Sequence, residues 1–102
     1  PSIYRQIAYD PRELAPIGLI AGTPLYFAVR NGLPARDFAE FAALVRASPG
    51  RISNAHAGVG STNHLACALF GYVTRLDMNA IPYRGEGPAV NDLVAGQVDS
   101  AC

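Results

Sequence analysis

One feature constrains this chain more than any other: a short strand-like segment leads through a glycine-rich stretch into a helical pattern. The segment from Ile52 to Ala55 is bounded by turn residues and has the length of a buried strand. The stretch from Ala57 to Gly60 is too rich in glycine for a helix. Ser61 is a suitable N-cap, and the helix is expected to run to about Arg75. A strand that passes directly into a helix is the repeating unit of an α/β fold with a parallel sheet.

The rest of the chain continues this alternation. Asp37 and Glu40 have the spacing of a capping box and open a predicted helix that ends at Ser48-Pro49-Gly50. A third helix is predicted to begin at Gly87-Pro88 and to end at Gly96. Further strands are predicted at Leu14 to Ala21, Leu25 to Val29, Met78 to Tyr83 and Gln97 to Ala101. We therefore predict an α/β fold with a mostly parallel sheet and helices on both faces.

Length and charge exclude several classes of function. The chain has 102 residues, half of them hydrophobic, which suffices for one modest core and not for two independent domains. Eight basic and eight acidic residues cancel, so no nucleic-acid or anionic-membrane partner is predicted. No apolar run approaches the roughly 20 residues of a membrane-spanning helix. The last predicted strand reaches Cys102 without a closing loop, so we expect the chain to be part of a larger fold.

The two cysteines give no sign of a metal site. Neither Cys67 nor Cys102 has a CxxC partner or a histidine at metal-ligand spacing, so no metal and no cofactor is predicted. Cys67 lies among apolar residues, and we interpret it as a small buried hydrophobe. The sequence leaves open whether the two cysteines form a disulfide.

The densest group of special residues lies where the predicted strand from Ile52 to Ala55 passes into its helix. In open α/β sheets ligands bind at this edge, and the free N–H groups and dipole of a helix N-terminus favour a carboxylate or phosphate. The candidate ligand-binding residues are His56, Ala57, Gly58, Val59, Gly60, Ser61 and Thr62. The alternative is that the two glycines only permit a tight turn and that the serine only caps the helix. The local sequence does not decide between these interpretations.

Catalytic and nucleotide-binding patterns are absent or incomplete around this stretch. Asn63 stands where a dinucleotide fingerprint needs its third glycine, and the chain has no lysine for a P-loop. Ser61 and His64 share a helix turn, but no acid is placed to orient the histidine, so we predict that the protein is not an enzyme. We interpret His64 as a structural histidine and His56 as a donor to a bound carboxylate. The stretch from Tyr83 to Ala89 repeats the strand-to-helix pattern, so its loop is predicted to lie beside the loop from Ala57 to Gly60. Arg84 in this stretch is interpreted as a surface residue with Glu86 close by.

Several short motifs follow one another in the order of a known family. They are Gly58-Val59-Gly60-Ser61 with His64-Leu65-Ala66, then Pro82-Tyr83-Arg84-Gly85 and Gly96-Gln97-Val98-Asp99. In this order they closely resemble the Bug, or TctC-like, family of periplasmic solute-binding proteins of tripartite tricarboxylate transporters. The resemblance covers the whole chain and about the middle third of a family member. It implies a two-lobed type II periplasmic-binding fold, in which residues 1–22 end the first lobe and form the crossover, and residues 23–102 form most of the second.

The resemblance also implies a mechanism. Family members clamp a small carboxylate between a loop from each lobe, partly through backbone N–H groups and ordered waters, and Gly58 to Thr62 would be the loop of this lobe. Hinge closure produces the form that a membrane permease recognises. This chain departs from the family pattern at His56 (usually Ser), Asn54 (usually aromatic), Ala68 (often Glu) and Arg84 (usually Lys). The first two departures bear on which acid is accepted.

Two alternatives to a periplasmic solute-binding protein remain open. The same lobe architecture occurs in the ligand-sensing part of transcription regulators, which carry a helix-turn-helix domain upstream. The chain can also be a truncated fragment that binds no ligand and self-associates as a homodimer, because unpaired strand edges invite pairing with a second copy.

Overall fold

A computed structural model describes residues 4–102. Its elements are β1 Ala28–Val29, α1 Phe38–Ala47, β2 Ser53–His56, α2 Thr62–Thr74, β3 Asn79–Pro82, α3 Glu86–Val94 and β4 Ser100–Ala101, preceded by a 3-10 turn at Pro11–Glu13. The strands form one four-stranded sheet in the order β1-β4-β2-β3, in which β2 runs parallel to β3 and β4, and β1 runs antiparallel to β4. The predicted α/β fold with a mostly parallel sheet is therefore confirmed.

Helices cover both faces of the sheet, as the sequence predicts. Side chains of neighbouring strand residues point to opposite faces. Asn54 of β2 donates to Cys67 Sγ of α2, whereas Ala55 packs against Ala89 and Leu93 of α3. Helices α2 and α3 therefore lie on opposite sides of β2.

The larger apolar cluster is built around α1. Asp37 caps this helix by accepting the Glu40 N–H at 2.9 Å, which confirms the predicted N-terminus. The Glu40 carboxylate reaches back to the N–H of Arg36 at 2.6 Å, one residue earlier than in a standard capping box. The buried members of the cluster are Leu33, Phe41, Ala42, Val45, Ile52 and Leu76.

The two strand predictions nearest the N-terminus are wrong in extent or in kind. The segment from Leu14 to Ala21 forms no strand, and Ile17 and Ile20 are fully exposed. The strand predicted from Leu25 to Val29 is reduced to Ala28–Val29, which pairs only with the two residues of β4. Apolar and β-branched residues favour a strand only where a neighbouring strand offers hydrogen bonds. Within residues 4–102, no strand lies beside Leu14 to Ala21.

Helix α2 forms where it is predicted, but its apolar stripe faces outward. Leu69 is 62% exposed and Tyr72 is 83% exposed, and Leu65 and Val73 share the same outer face. The residues that α2 buries are Asn63 and Cys67. Since most of its apolar side chains lie outside the core, α2 depends on a few specific contacts to stay against the sheet.

No helix within residues 4–102 has the length and hydropathy needed to span a membrane.

One of the contacts that hold α2 against the sheet is covalent. Cys67 and Cys102 form a disulfide, with 6.0 Å between their Cα atoms, so the interpretation of Cys67 as a free hydrophobe is wrong. The two cysteines are 35 residues apart in sequence, and local composition carries no information on their pairing. The fold joins them because the residue after β4 lies beside β2, where the Cys102 N–H donates to the Ala55 carbonyl.

Candidate functional site

The glycine-rich loop lies at the carboxyl end of β2 and leads directly into α2. Gly58 and Gly60 both have positive φ angles, 126° and 85°, which glycine adopts with the least strain. A Cβ on Gly58 would lie 3.3 Å from the carbonyl oxygen of Tyr83. Ser61 is the N-cap of α2, and its Oγ accepts the His64 N–H at 3.1 Å. The capping role predicted for Ser61 is therefore confirmed.

The second strand-to-helix loop runs beside the first, as the sequence predicts. The Gly85 N–H donates to the Ala57 carbonyl at 3.2 Å, and the Tyr83 N–H donates to the His56 carbonyl at 2.9 Å. Among the described residues, no ion pair joins Arg84 and Glu86. Two helix N-termini, those of α2 and α3, thus open at the same edge of the sheet.

Two stacked histidine rings support the glycine loop. His56 Nδ1 accepts the Gly58 N–H at 3.3 Å, and His64 Nδ1 accepts the Gly60 N–H at 3.1 Å. The ring centroids are 4.4 Å apart. A ring nitrogen that accepts a hydrogen bond carries no proton, so the single N–H of each neutral ring lies on Nε2. This arrangement agrees with the interpretation of His64 as a structural histidine.

The side chain of His56 is more enclosed than the sequence suggests. Only 2% of the residue is exposed, because it lies on the sheet face that α2 covers. Its Nδ1 is occupied by the Gly58 N–H, which leaves Nε2 as the ring atom able to donate to a ligand. A ligand contact by His56 stays a prediction.

The free hydrogen-bond donors of the site lie in the first turn of α2. The N–H groups of Gly58 and Gly60 are engaged by the histidines, but those of Thr62 and Asn63 have no partner among the hydrogen bonds of the described residues. The first N–H groups of a helix have no intrahelical acceptor, and the helix dipole gives them positive potential. The Thr62 hydroxyl lies in the same turn, and Val59 at the loop tip is 62% exposed. The arrangement suits a small anion.

Sequence reasoning missed the role of Asn63. Its Nδ2 donates to Glu86 Oε1 at 3.0 Å and to the Cys102 carbonyl at 2.8 Å. Asn63 therefore links α2 to α3 and to the end of β4. The signal that could have found this link is the expected neighbourhood of the two loops, which places the first turns of both helices together.

A solvent-open groove adjoins the loop, between the segment from Thr23 to Tyr26 and α3. Ala57 and Asn63 line its end nearest the loop, and Val90 and Leu93 line one wall. Glu86 is the one charged residue among the described residues that line this groove. Within residues 4–102, no group of three or more His, Cys, Asp or Glu residues is arranged to hold a metal ion.

The histidine pair makes the loop sensitive to acid. Burial lowers the pKa of His56 below its ordinary value of 6.5, because the charged imidazolium is costly to enclose, and burial outweighs the other effects on the ring. The unfolded chain therefore takes up a proton more readily than the folded chain, so the stabilisation is complete above about pH 6.5 and is lost as the pH falls through the lower pKa of the folded state.

We expect the free energy of unfolding to fall between pH 7.5 and pH 5 in urea titrations. A His56→Gln variant, whose amide oxygen can still accept the Gly58 N–H, should show a flatter dependence over the same range. An equally steep dependence in the variant would assign the effect to other groups.

The chain matches known proteins over its whole length. Residues 1–102 match the family described as TctC, tripartite tricarboxylate transporter family receptor. A protein of Pseudomonas sp. (strain P51), named the UPF0065 protein in the tcbD-tcbE intergenic region, is 38% identical over 97 residues, which are 94% of this chain and 29% of the relative.

Two solved structures share the fold. A structure of an R. palustris protein with adipate is 32% identical, with a TM-score of 0.84 over 96% of this chain and 33% of that chain. The structure of the periplasmic binding protein BugD is 34% identical, with a TM-score of 0.67 over 72% of this chain and 25% of that chain. The chain thus spans about a third or less of the length of these relatives.

Proposed function

Because the chain belongs to the tripartite tricarboxylate transporter receptor family, we propose that it forms one lobe of a periplasmic protein that captures a small carboxylate. This is a family of solute-binding proteins and not of enzymes, which agrees with the sequence analysis. In the proposal, residues 1–22 end the first lobe and residues 23–102 form most of the second. The loaded, closed protein then delivers the acid to a membrane permease.

The observation that carries the proposal is that the N–H groups of Thr62 and Asn63, at the start of α2, have no hydrogen-bond partner within residues 4–102. They lie at the carboxyl end of the parallel strands, where α/β sheets bind ligands. The loop before them is held by the two histidine rings, so the donors are already in place before a ligand arrives. The proposed contact residues are the seven predicted from the sequence, His56 to Thr62, together with the backbone N–H of Asn63, with the carboxylate on the helix N-terminus.

Two further observations support the ligand class and the compartment. The related R. palustris protein was solved with adipate, which is a carboxylate, and its fold matches nearly all of this chain. BugD is described as a periplasmic binding protein. The Cys67–Cys102 disulfide suits an oxidising compartment such as the periplasm, because cytosolic reductants keep most thiols reduced.

Calorimetric titration of the two-lobed protein that contains this chain, against a panel of small mono- and dicarboxylates at neutral pH, tests the proposal. Gly60→Asp should weaken binding of the preferred acid by at least about a hundredfold, because it adds a negative charge and a strained backbone beside the donors. Gly32→Asp is the matched control, since Gly32 has a φ of 86° in a different loop. Binding of no carboxylate by the wild-type protein, or equal affinity in the Gly60→Asp variant, would refute the proposal.

A further inference from the structure

A single negative charge stands next to the proposed carboxylate site. Glu86 is the first residue of α3, and its side chain reaches across to α2, where Oε1 accepts a hydrogen bond from Asn63 Nδ2 at 3.0 Å. Neither ion pair of the described residues includes Glu86. The charge of Glu86 is therefore not compensated by a cationic partner within residues 4–102.

The position of this charge relative to the donors is set by Asn63. The backbone N–H of Asn63 is one of the two free donors of the site, and its side chain holds Glu86. A bound acid and the Glu86 carboxylate would therefore contact the same asparagine, the acid at its backbone N–H and Glu86 at its side-chain amide. Both protons of Asn63 Nδ2 are used, one by Glu86 and one by the Cys102 carbonyl, so this amide cannot turn to the ligand.

A carboxylate that binds so close to another carboxylate is weakened by repulsion. Glu86 is exposed, and two negative charges about 6 Å apart at such an edge lower the affinity by about fivefold. A ligand offsets this loss if it directs a hydrogen-bond donor at Glu86, because hydrogen bonds to charged groups are stronger than neutral ones. The short separation places that donor near the bound carboxylate and not at the far end of a long ligand.

On the basis of the proposed function, we infer that Glu86 is a specificity-determining residue. It selects acids that carry an ammonium or hydroxyl group on the carbon beside the bound carboxylate, and it disfavours plain monocarboxylates and dicarboxylates without such a group. The rest of the groove wall agrees with a small body of low polarity, since Ala57, Val90 and Leu93 line it.

Three acids of the same size test the inference in the two-lobed protein. L-Alanine, L-lactate and propionate differ only in an ammonium, a hydroxyl or a hydrogen on the carbon beside the carboxylate, and succinate adds a second carboxylate. We expect wild-type protein to bind alanine or lactate at least about tenfold more tightly than propionate and succinate in calorimetric titrations. Alanine ahead of lactate would indicate ion pairing, and lactate ahead of alanine would indicate a neutral donor.

The decisive variant is Glu86→Gln, which removes the charge and keeps an oxygen for Asn63 Nδ2. We expect the preference for the donor-bearing acid to shrink about tenfold and propionate to bind more tightly than before. Glu40→Gln, a charge-neutralising change in the first turn of α1, is the matched control and should leave the order of affinities unchanged. If acids bind and Gly60→Asp abolishes binding, but Glu86→Gln leaves the order intact, this inference is wrong and the proposed function stands. If no acid of the wider panel binds, the proposed function itself fails.

Discussion

Reduction of the Cys67–Cys102 disulfide is expected to lower the free energy of unfolding by about 3 to 4 kcal/mol. The bond closes a loop of 35 residues in sequence separation, and breaking it returns the corresponding entropy to the unfolded chain. The expected loss is large because α2 has its apolar stripe in solvent and has few other buried side chains. Urea denaturation with and without a phosphine reductant measures the effect.

A double variant, Cys67→Ala with Cys102→Ala, provides the control for the disulfide. Its stability should match that of the reduced wild-type protein to within about 1 kcal/mol. The reductant should not change its denaturation midpoint. An oxidised wild-type protein no more stable than the double variant would show that the bond contributes nothing to folding.

The second large effect is expected at Asp99, just before β4. Its carboxylate accepts hydrogen bonds from Arg30 Nε at 2.8 Å and from both the N–H and the Oγ of Ser53 at 3.0 Å. The backbone of Asp99 bonds to the same two residues. This residue thus ties β1 and β2 to β4, and Asp99→Asn should reduce the free energy of unfolding by about 2 to 3 kcal/mol.

Chemical denaturation of Asp99→Asn tests this expectation against Asp77→Asn, a change at an exposed aspartate that should cost less than about 0.5 kcal/mol. Acid should produce the same loss in the wild-type protein. Burial raises the pKa of Asp99, but the hydrogen bonds from Arg30 and Ser53 outweigh it and hold the pKa below 3.8. The stabilisation is therefore present above about pH 3.8 and is lost as the pH falls through the lower pKa of the folded state. Equal stability of the two variants would contradict the role assigned to Asp99.

Local signals account for the parts of the fold that the sequence predicts. Asp37 and Ser61 cap the helices at which they are expected, because a cap needs only a side-chain oxygen a few residues before the N–H it accepts. The order of strands and helices follows for the same reason. The segment from Leu14 to Ala21 fails because its prediction depended on apolar character, and a strand also needs a partner.

Contacts between distant residues account for what the sequence could not predict. Arg30 and Asp99 are 69 residues apart, and Asn63 and Glu86 are 23 apart. Each pair consists of common surface residue types whose neighbours depend on the register of the whole sheet. The same holds for the stacking of His56 on His64, which requires the strand face and the helix face to be known together. The sequence thus located the candidate loop but not the side chains that hold it.

Nuclear magnetic resonance measures the central claim most directly, because it reports on individual N–H groups. The two-lobed protein, labelled with nitrogen-15, would be titrated with its preferred acid at neutral pH, and the amide signals of this lobe would be followed. The account predicts that, within this lobe, the largest downfield shifts of amide protons fall on Thr62 and Asn63, whose N–H groups donate to the bound carboxylate as their first hydrogen-bond partner. Saturable binding that leaves these two amides unchanged, with the shifts of this lobe elsewhere, would contradict the claim that a carboxylate is held at the N-terminus of α2.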